Sequence, residues 1–285
     1  MSETEKLLII HADDFGMCHA TNQAIIQLMN EGAISSTTLM VNCPWSLEAA
    51  KAATNNSTFD VGVHLTLTSE WDHYKWGPVN KNGNVHTLVD ELGHFPANLE
   101  KVAQADREQV REEIIVQIET AIKMGIDPTH LDSHMGAYLF FMDLHIEVAA
   151  QYNLPLRFTK NPPPGYHLEQ FEKMVQLANR KGIIYPDYIM ALPFIFEHEI
   201  TYEESKQNAI RLLKDVKPGV TELLFHPSLE SEELKGITDT WQARQFEFDL
   251  FRDEEVKAVI QAEGLKVIGW RELRDIQRKE KLEDK

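Results

Sequence analysis

Eight short segments rich in apolar residues recur along this 285-residue chain: Lys6–Ala12, Ser36–Asn42, Val61–Leu67, Thr129–Ser133, Pro155–Thr159, Asp187–Leu192, Glu222–His226 and Lys266–Gly269. Runs this short suit strands better than helices. The segments between them have helical period, clearest at Thr21–Glu31 before Gly32, Ala105–Met124 before Gly125, and Thr201–Lys214 before Pro218–Gly219. A longer acidic helix is predicted over Thr238–Gly264, with Phe246, Phe248 and Phe251 close together for packing on the body of the fold in the first reading and for a subunit contact in the second. Strands that alternate with crossover helices run parallel. The prediction is therefore an α/β fold, a regular or distorted (β/α) barrel in a single domain spanning 1–285, with helices outside. No glycine-rich phosphate loop follows the first strand, which argues against an open doubly wound sheet. The aromatic, Gly/Asn-containing stretch at about 70–96 is predicted to be an insertion loop over one end of the barrel.

Composition removes several classes of function. A net charge of −17 is unsuited to the phosphate backbone, so no nucleic-acid partner is expected. With 43% hydrophobic and 26% charged residues, the chain has the composition of a soluble globular protein. The apolar run Leu7–Ile10 is too short for a signal-peptide core or a membrane span, which predicts a cytoplasmic protein with no membrane partner. Cys18 and Cys43 cannot build a disulfide framework and are assigned no role. If the chain self-associates, a homodimer is the expected state.

Residues with ligand or acid–base chemistry fall at the carboxyl ends of several predicted strands, where a parallel barrel would gather them at one mouth. Asp13 and Asp14 follow the first strand, His64 lies in the third, His130 and His134 bracket Leu131–Ser133, and His226 ends the Leu223–Phe225 run. Adjacent carboxylates repel unless a cation, a donor or divergent directions relieve them. Two imidazoles and one carboxylate oxygen would make a three-ligand metal site with open positions. Each residue taken singly has a plainer reading: a turn at Asp13–Asp14, a core histidine at His64, a strand-end hydrogen bond at His226. Their conjunction favours a shared site. Arg157 would point into the mouth if Pro155–Thr159 is a strand, where it could hold Asp13 ionised; the alternative is a surface ion pair. Trp71, Tyr74 and Trp76 lie within six residues beside Asp72, His73 and Lys75, a combination that suits the apolar face and hydroxyls of a sugar and equally suits ordinary loop packing.

These stretches resemble the YdjC-like carbohydrate deacetylases, which include the chitooligosaccharide deacetylases. The resemblance is carried by His11-Ala12-Asp13-Asp14-Phe15-Gly16, Val61-Gly62-Val63-His64-Leu65, Thr129-His130-Leu131-Asp132-Ser133-His134, Leu154-Pro155-Leu156-Arg157 and Phe225-His226-Pro227, in the family's order over residues 7 to about 229. It implies a divalent metal on Asp14, His64 and His134, with Mg²⁺ or Zn²⁺ favoured over Mn²⁺ or Co²⁺. It also implies Asp13 as general base and His226 as general acid. Arg157 and Asp132 are then expected to tune Asp13 or orient a histidine, and His130, Trp76 and Tyr138 are further candidates for lining or supporting the pocket. Family members often carry extra histidines where Met135-Gly136-Ala137-Tyr138 stands here, so the pocket beyond the metal is expected to differ. The implied activity is metal-dependent removal of N-acetyl groups from small amino sugars or oligosaccharides. The alternatives are a metal-dependent hydrolase of another sugar linkage, or a non-catalytic carbohydrate-binding regulator.

Overall fold

The unbroken apolar run Leu7–Ile10 becomes the central strand of the sheet, β1 (Lys6–Phe15), buried from Leu7 onward. In a computed structural model that describes residues 4–81, 83–162, 166–194 and 200–283, the chain continues through α1 (His19–Glu31), β2 (Ser36–Leu39), α2 (Ser46–Asn55), β3 (Val61–Leu65), α3 (Leu99–Val102), α4 (Arg107–Lys123) and β4 (Leu131–Ser133). After a 3₁₀ stretch at His134–Phe140 come α5 (Met142–Tyr152), α6 (Leu168–Arg180), β5 (Tyr188–Ala191), α7 (Tyr202–Lys214) and β6 (Gly219–Phe225). The remainder is α8 (Glu232–Ile237), α9 (Trp241–Leu250), α10 (Glu254–Ala262), β7 (Lys266–Val267) and α11 (Trp270–Glu283). Helix starts follow local chemistry. The Asp106 carboxylate accepts from the N–H groups of Glu108 and Gln109 to start α4, and Thr201 and Glu204 form a reciprocal cap on α7.

All strand pairings are parallel, in the order β4-β3-β2-β1-β6-β5. The short β7 pairs with Leu7 and Leu8, on the edge of β1 that β2 takes over at His11. The sheet curls into the expected barrel-like α/β fold with helices around it. Beyond β4 the pairing thins. Leu131 bridges Leu156, its N–H donating to Pro155 O and its carbonyl accepting from Arg157 N, and Leu156 N donates to Ile184 O on the way into β5. The strand predicted at Pro155–Thr159 is thus reduced to a single bridge. Proline has no N–H to extend a ladder, and Asn153, at φ 53°, has just ended α5 in the left-handed conformation. The helix predicted over Thr238–Gly264 is also corrected: it is two helices, α9 and α10. They part because the Asp253 carboxylate takes the Glu255 N–H at 2.8 Å and starts a new helix. Phe248 and Phe251 are buried, with Phe251 against Phe225.

One close approach has a sequence cause. A Cβ on Gly62 would lie 2.6 Å from the His130 ring and 2.7 Å from its carbonyl, so only glycine lets β3 and the start of β4 come this close. Among the described residues no helix is long and apolar enough to cross a membrane.

On α5, His145 is fully buried, donates from Nδ1 to Phe141 O at 2.9 Å, and leaves Nε2 without a partner. Burial pushes its imidazole down to about 4. Between pH 6.5 and 4 the unfolded chain therefore binds a proton that the folded chain does not, and stability falls on acidification at ~1.4 kcal/mol per pH unit. That amounts to about 3 kcal/mol over this window. Urea unfolding of His145→Leu across these pH values is expected to show a flatter acid limb than the wild type; an unchanged slope would contradict the assignment.

Candidate active site

The carboxyl ends of β1, β3, β4 and β6 open on one side of the sheet, and they carry Asp13 and Asp14, His64, His134 and His226. Successive side chains on a regular strand point to opposite faces. Here the register of β1 against β2 shifts between Ala12 and Phe15, and Asp14 adopts φ 71°. This bulge turns both aspartates to the mouth while giving them different partners. Asp13 receives two bonds from Arg157, Nη2 to Oδ1 at 2.7 Å and Nη1 to Oδ2 at 3.0 Å, while Asp14 Oδ2 receives Arg244 Nη1 at 2.8 Å. Burial alone would raise both carboxyls. Arg157, with His64 and His11, instead holds Asp13 well below the usual carboxylate range, and Arg244, with His134 and His226, lowers Asp14.

Asp14 Oδ1 is buried without a hydrogen-bond partner and lies 3.7 Å from His64 Nε2 and 3.5 Å from His134 Nδ1. The far nitrogen of each ring rests on a carboxylate: His64 Nδ1 on Asp132 Oδ1 at 2.7 Å, and His134 Nε2 on Glu70 Oε2 at 3.0 Å. Metal-binding histidines are characteristically supported in this way. An orphaned carboxylate oxygen facing two supported imidazoles is a donor set that fits a divalent cation. Two other groups, His11/His130/Glu222 and His11/Asp13/Asp132, also bring donor atoms together. In both, the carboxylates are already bound by the Arg157 guanidinium, which occupies the place a cation would take. Burial pushes the imidazoles down, yet His64 is raised by Asp132 and Asp13, and His134 is pushed up to about 10 by Glu70 and Asp14.

His226, just beyond β6, puts Nε2 3.7 Å from Asp13 Oδ2; its ring packs on Phe194, and its N–H donates to Glu247 Oε2 at 2.6 Å. Burial pushes its imidazole down to about 4 against the pull of Asp14 and Asp13, so it is neutral near pH 7. Arg157 also bonds Glu222 at 2.9 and 3.0 Å and reaches Asp132 at 3.0 Å. Thr38 ties Asp132, His64 and His11 together.

The remaining predicted residues lie close by in other roles. His130 is buried beneath the site, stacked on Trp270 at 4.2 Å and edge-on to His11. Trp76 is only 3% exposed, so its ring faces are not open to a sugar; it donates to Thr68 O and sits edge-on to His134. Trp71 is half-buried under the Arg244 guanidinium, and Tyr74 donates its hydroxyl to Met17 O. Tyr138 is half-buried in the turn after His134, its N–H donating to Ser133 Oγ; Met135 and Gly136 both take positive φ there.

Glu70, Glu222, Arg244 and Glu247 were not anticipated from the sequence. Glu70 stands just past the third apolar segment and is found by the same strand-end rule that found Asp13 and His226. Glu222 is a charge heading an apolar run, which is itself a signal. Arg244 and Glu247 are interior residues of α9 with no local signature.

The sequence profile of the family described as YdjC-like protein matches residues 7–262. A carbohydrate deacetylase of Thermoanaerobacter pseudethanolicus is 30% identical over 256 residues, covering 88% of this chain and 92% of its own. The carbohydrate deacetylase of Thermus thermophilus is 29% identical over 279 residues, covering 95% and 94%. A crystal structure from Enterococcus faecalis V583, described as a candidate cellobiose-phosphate cleavage protein, superimposes with a TM-score of 0.79 at 28% identity, covering 95% of this chain and 99% of that one.

Removing one partner of a buried ion pair leaves the other charge unpaired, at about 3–5 kcal/mol. Arg157→Met is expected to lower urea-unfolding stability by at least that amount, because Asp13, Asp132 and Glu222 all lose their guanidinium. A loss under about 1 kcal/mol, the worth of a surface pair, would contradict this assignment.

Proposed function

The chain belongs to the YdjC-like family, and on that premise we propose that it is a carbohydrate deacetylase, a hydrolase that removes N-acetyl groups from small amino sugars or oligosaccharides with the help of a divalent metal. The observation that carries this reading is the unpartnered Asp14 Oδ1 facing His64 and His134, with an ionised Asp13 one residue away. Asp14, His64 and His134 would hold the metal. Mg²⁺ and Zn²⁺ are the first candidates and Mn²⁺ and Co²⁺ the next, the two imidazoles favouring Zn²⁺. When bound, such an ion polarises the amide carbonyl and lowers the pKa of water.

The chain's own residues supply the proton transfers. Asp13, kept ionised by Arg157, accepts a proton from the attacking water. The amide nitrogen must gain a proton before the C–N bond breaks. His226, neutral at rest and 3.7 Å from Asp13 Oδ2, is placed to take from Asp13 the proton that came from the water and to deliver it to the departing amine. The products are the free amino sugar and acetate. Arg157 and Asp132 act through Asp13 and His64, and His130, Trp76 and Tyr138 support the walls. Cleavage of a glycosidic bond is less well served, because Asp13 and Asp14 are neighbours on one strand and cannot flank a scissile bond from opposite sides.

The test is acetate release from N-acetylglucosamine oligomers and N-acetylated monosaccharides by chelator-stripped protein resupplied with each ion. Asp13→Asn is expected to retain the metal and lose turnover by about 10²- to 10⁴-fold. Wild-type turnover in that variant, or glucose release from a phosphorylated disaccharide with no acetate from any substrate, would contradict the proposal. Because His134 is pushed up to about 10, an entering cation displaces a proton. Apparent metal affinity should accordingly rise at least about tenfold per pH unit between pH 6 and 9; calorimetry showing no pH dependence would count against His134 as a ligand.

A further inference from the structure

We propose that Glu70 is the positioning residue that decides which nitrogen of His134 faces the cation site, acting from a strap at residues 69–76 that also steadies Asp14. The inference rests on the metal-dependent reading above. A carboxylate can only accept a hydrogen bond, so with Glu70 Oε2 at 3.0 Å and Oε1 at 3.2 Å the proton on that side of the ring belongs to Nε2. Nδ1, 3.5 Å from Asp14 Oδ1, is then the nitrogen that can give up a proton for a cation. His64 is arranged in the opposite sense, with Nδ1 on Asp132 and Nε2 toward Asp14. Two rings that face one site through different nitrogens need two separate supports. Asp132 is provided by β4 itself, whereas Glu70 is provided by the loop.

The strap is locked around Glu70 on both sides. Trp76 N–H donates to Ser69 Oγ at 3.1 Å, Lys75 Nζ donates to Ser69 O at 2.7 Å, and the Tyr74 hydroxyl reaches back to Met17 O beyond the end of β1. Trp76 lies edge-on to both His134 and Trp71. The Trp71 ring in turn lies 5.8 Å from the Arg244 guanidinium, which holds Asp14 Oδ2. Two of the three proposed ligands are therefore fixed by one eight-residue segment that is part of neither the sheet nor a helix.

The experiment is titration of Zn²⁺ alone into chelator-stripped full-length protein, combined with ¹⁵N NMR of the histidine side chains in the Zn²⁺-loaded wild type. Glu70→Ala is expected to weaken Zn²⁺ binding by roughly 10- to 100-fold. Glu70→Gln, whose amide oxygen still accepts from Nε2–H, should recover most of that loss. The NMR spectrum should show His134 with Nε2 protonated and Nδ1 on the metal, a result obtained whether or not the alanine variant folds. Wild-type affinity in Glu70→Ala, or His134 bound through Nε2, overturns the inference while leaving the metal reading intact. Wild-type affinity in Asp14→Ala and His64→Ala overturns the metal reading and this inference with it.

Discussion

One guanidinium holds together the part of the sheet where backbone pairing is weakest. Arg157 lies in the irregular segment that carries hydrogen bonding from β4 toward β5, and its three nitrogens engage Asp13 of β1, Asp132 of β4 and Glu222 of β6. In a regular barrel that tie would be made by a full strand with apolar side chains filling the interior. Here the interior is a layered polar stack. Trp270 forms the floor and bonds Glu222 at 3.0 Å; His130 and His11 lie above it, then the Arg157 cluster, then Asp14, His64 and His134 at the carboxyl ends of the strands. Buried charges are tolerable only when nearly every one is paired, so the chemistry of the mouth and the integrity of the sheet share the same residues.

The two adjacent aspartates show how one short motif yields two environments. A bulge in β1 and a left-handed residue at Asp14 bring both carboxylates to the mouth, where each meets its own arginine. Asp13 has both oxygens occupied by Arg157 and remains an ionised acceptor. Asp14 gives one oxygen to Arg244 and leaves the other bare toward two imidazoles. Like charges on neighbouring residues are thereby separated in role by backbone conformation, a division compatible with one acting as base and the other as ligand.

The parallel α/β architecture was legible because seven of the eight apolar segments became strands, and because strand-end chemistry in such a fold converges by geometry. That rule alone located Asp13, Asp14, His64, His134 and His226 near one another. The fifth segment escaped it, since Pro155 removes the N–H a ladder needs, though Arg157 still reaches the interior. The break at Asp253 was hidden because a capping carboxylate within an acidic stretch looks like any other charge. Arg244 and Glu247 were invisible for another reason: their partners lie more than 200 and about 20 residues away, joined only by how α9 packs against the mouth. The aromatic loop of Trp71, Tyr74 and Trp76 suited either a sugar or ordinary packing on itself, and the buried Trp76 takes the second course.

The division of labour between Asp13 and Asp14 is tested most directly by anomalous diffraction at the absorption edge of a bound Zn²⁺ or Mn²⁺. A single anomalous peak bounded by Asp14, His64 and His134, with Asp13 still held by Arg157, is the outcome required. A peak among His11, His130 and Glu222, or Asp13 pulled off Arg157 into the coordination shell, would contradict it.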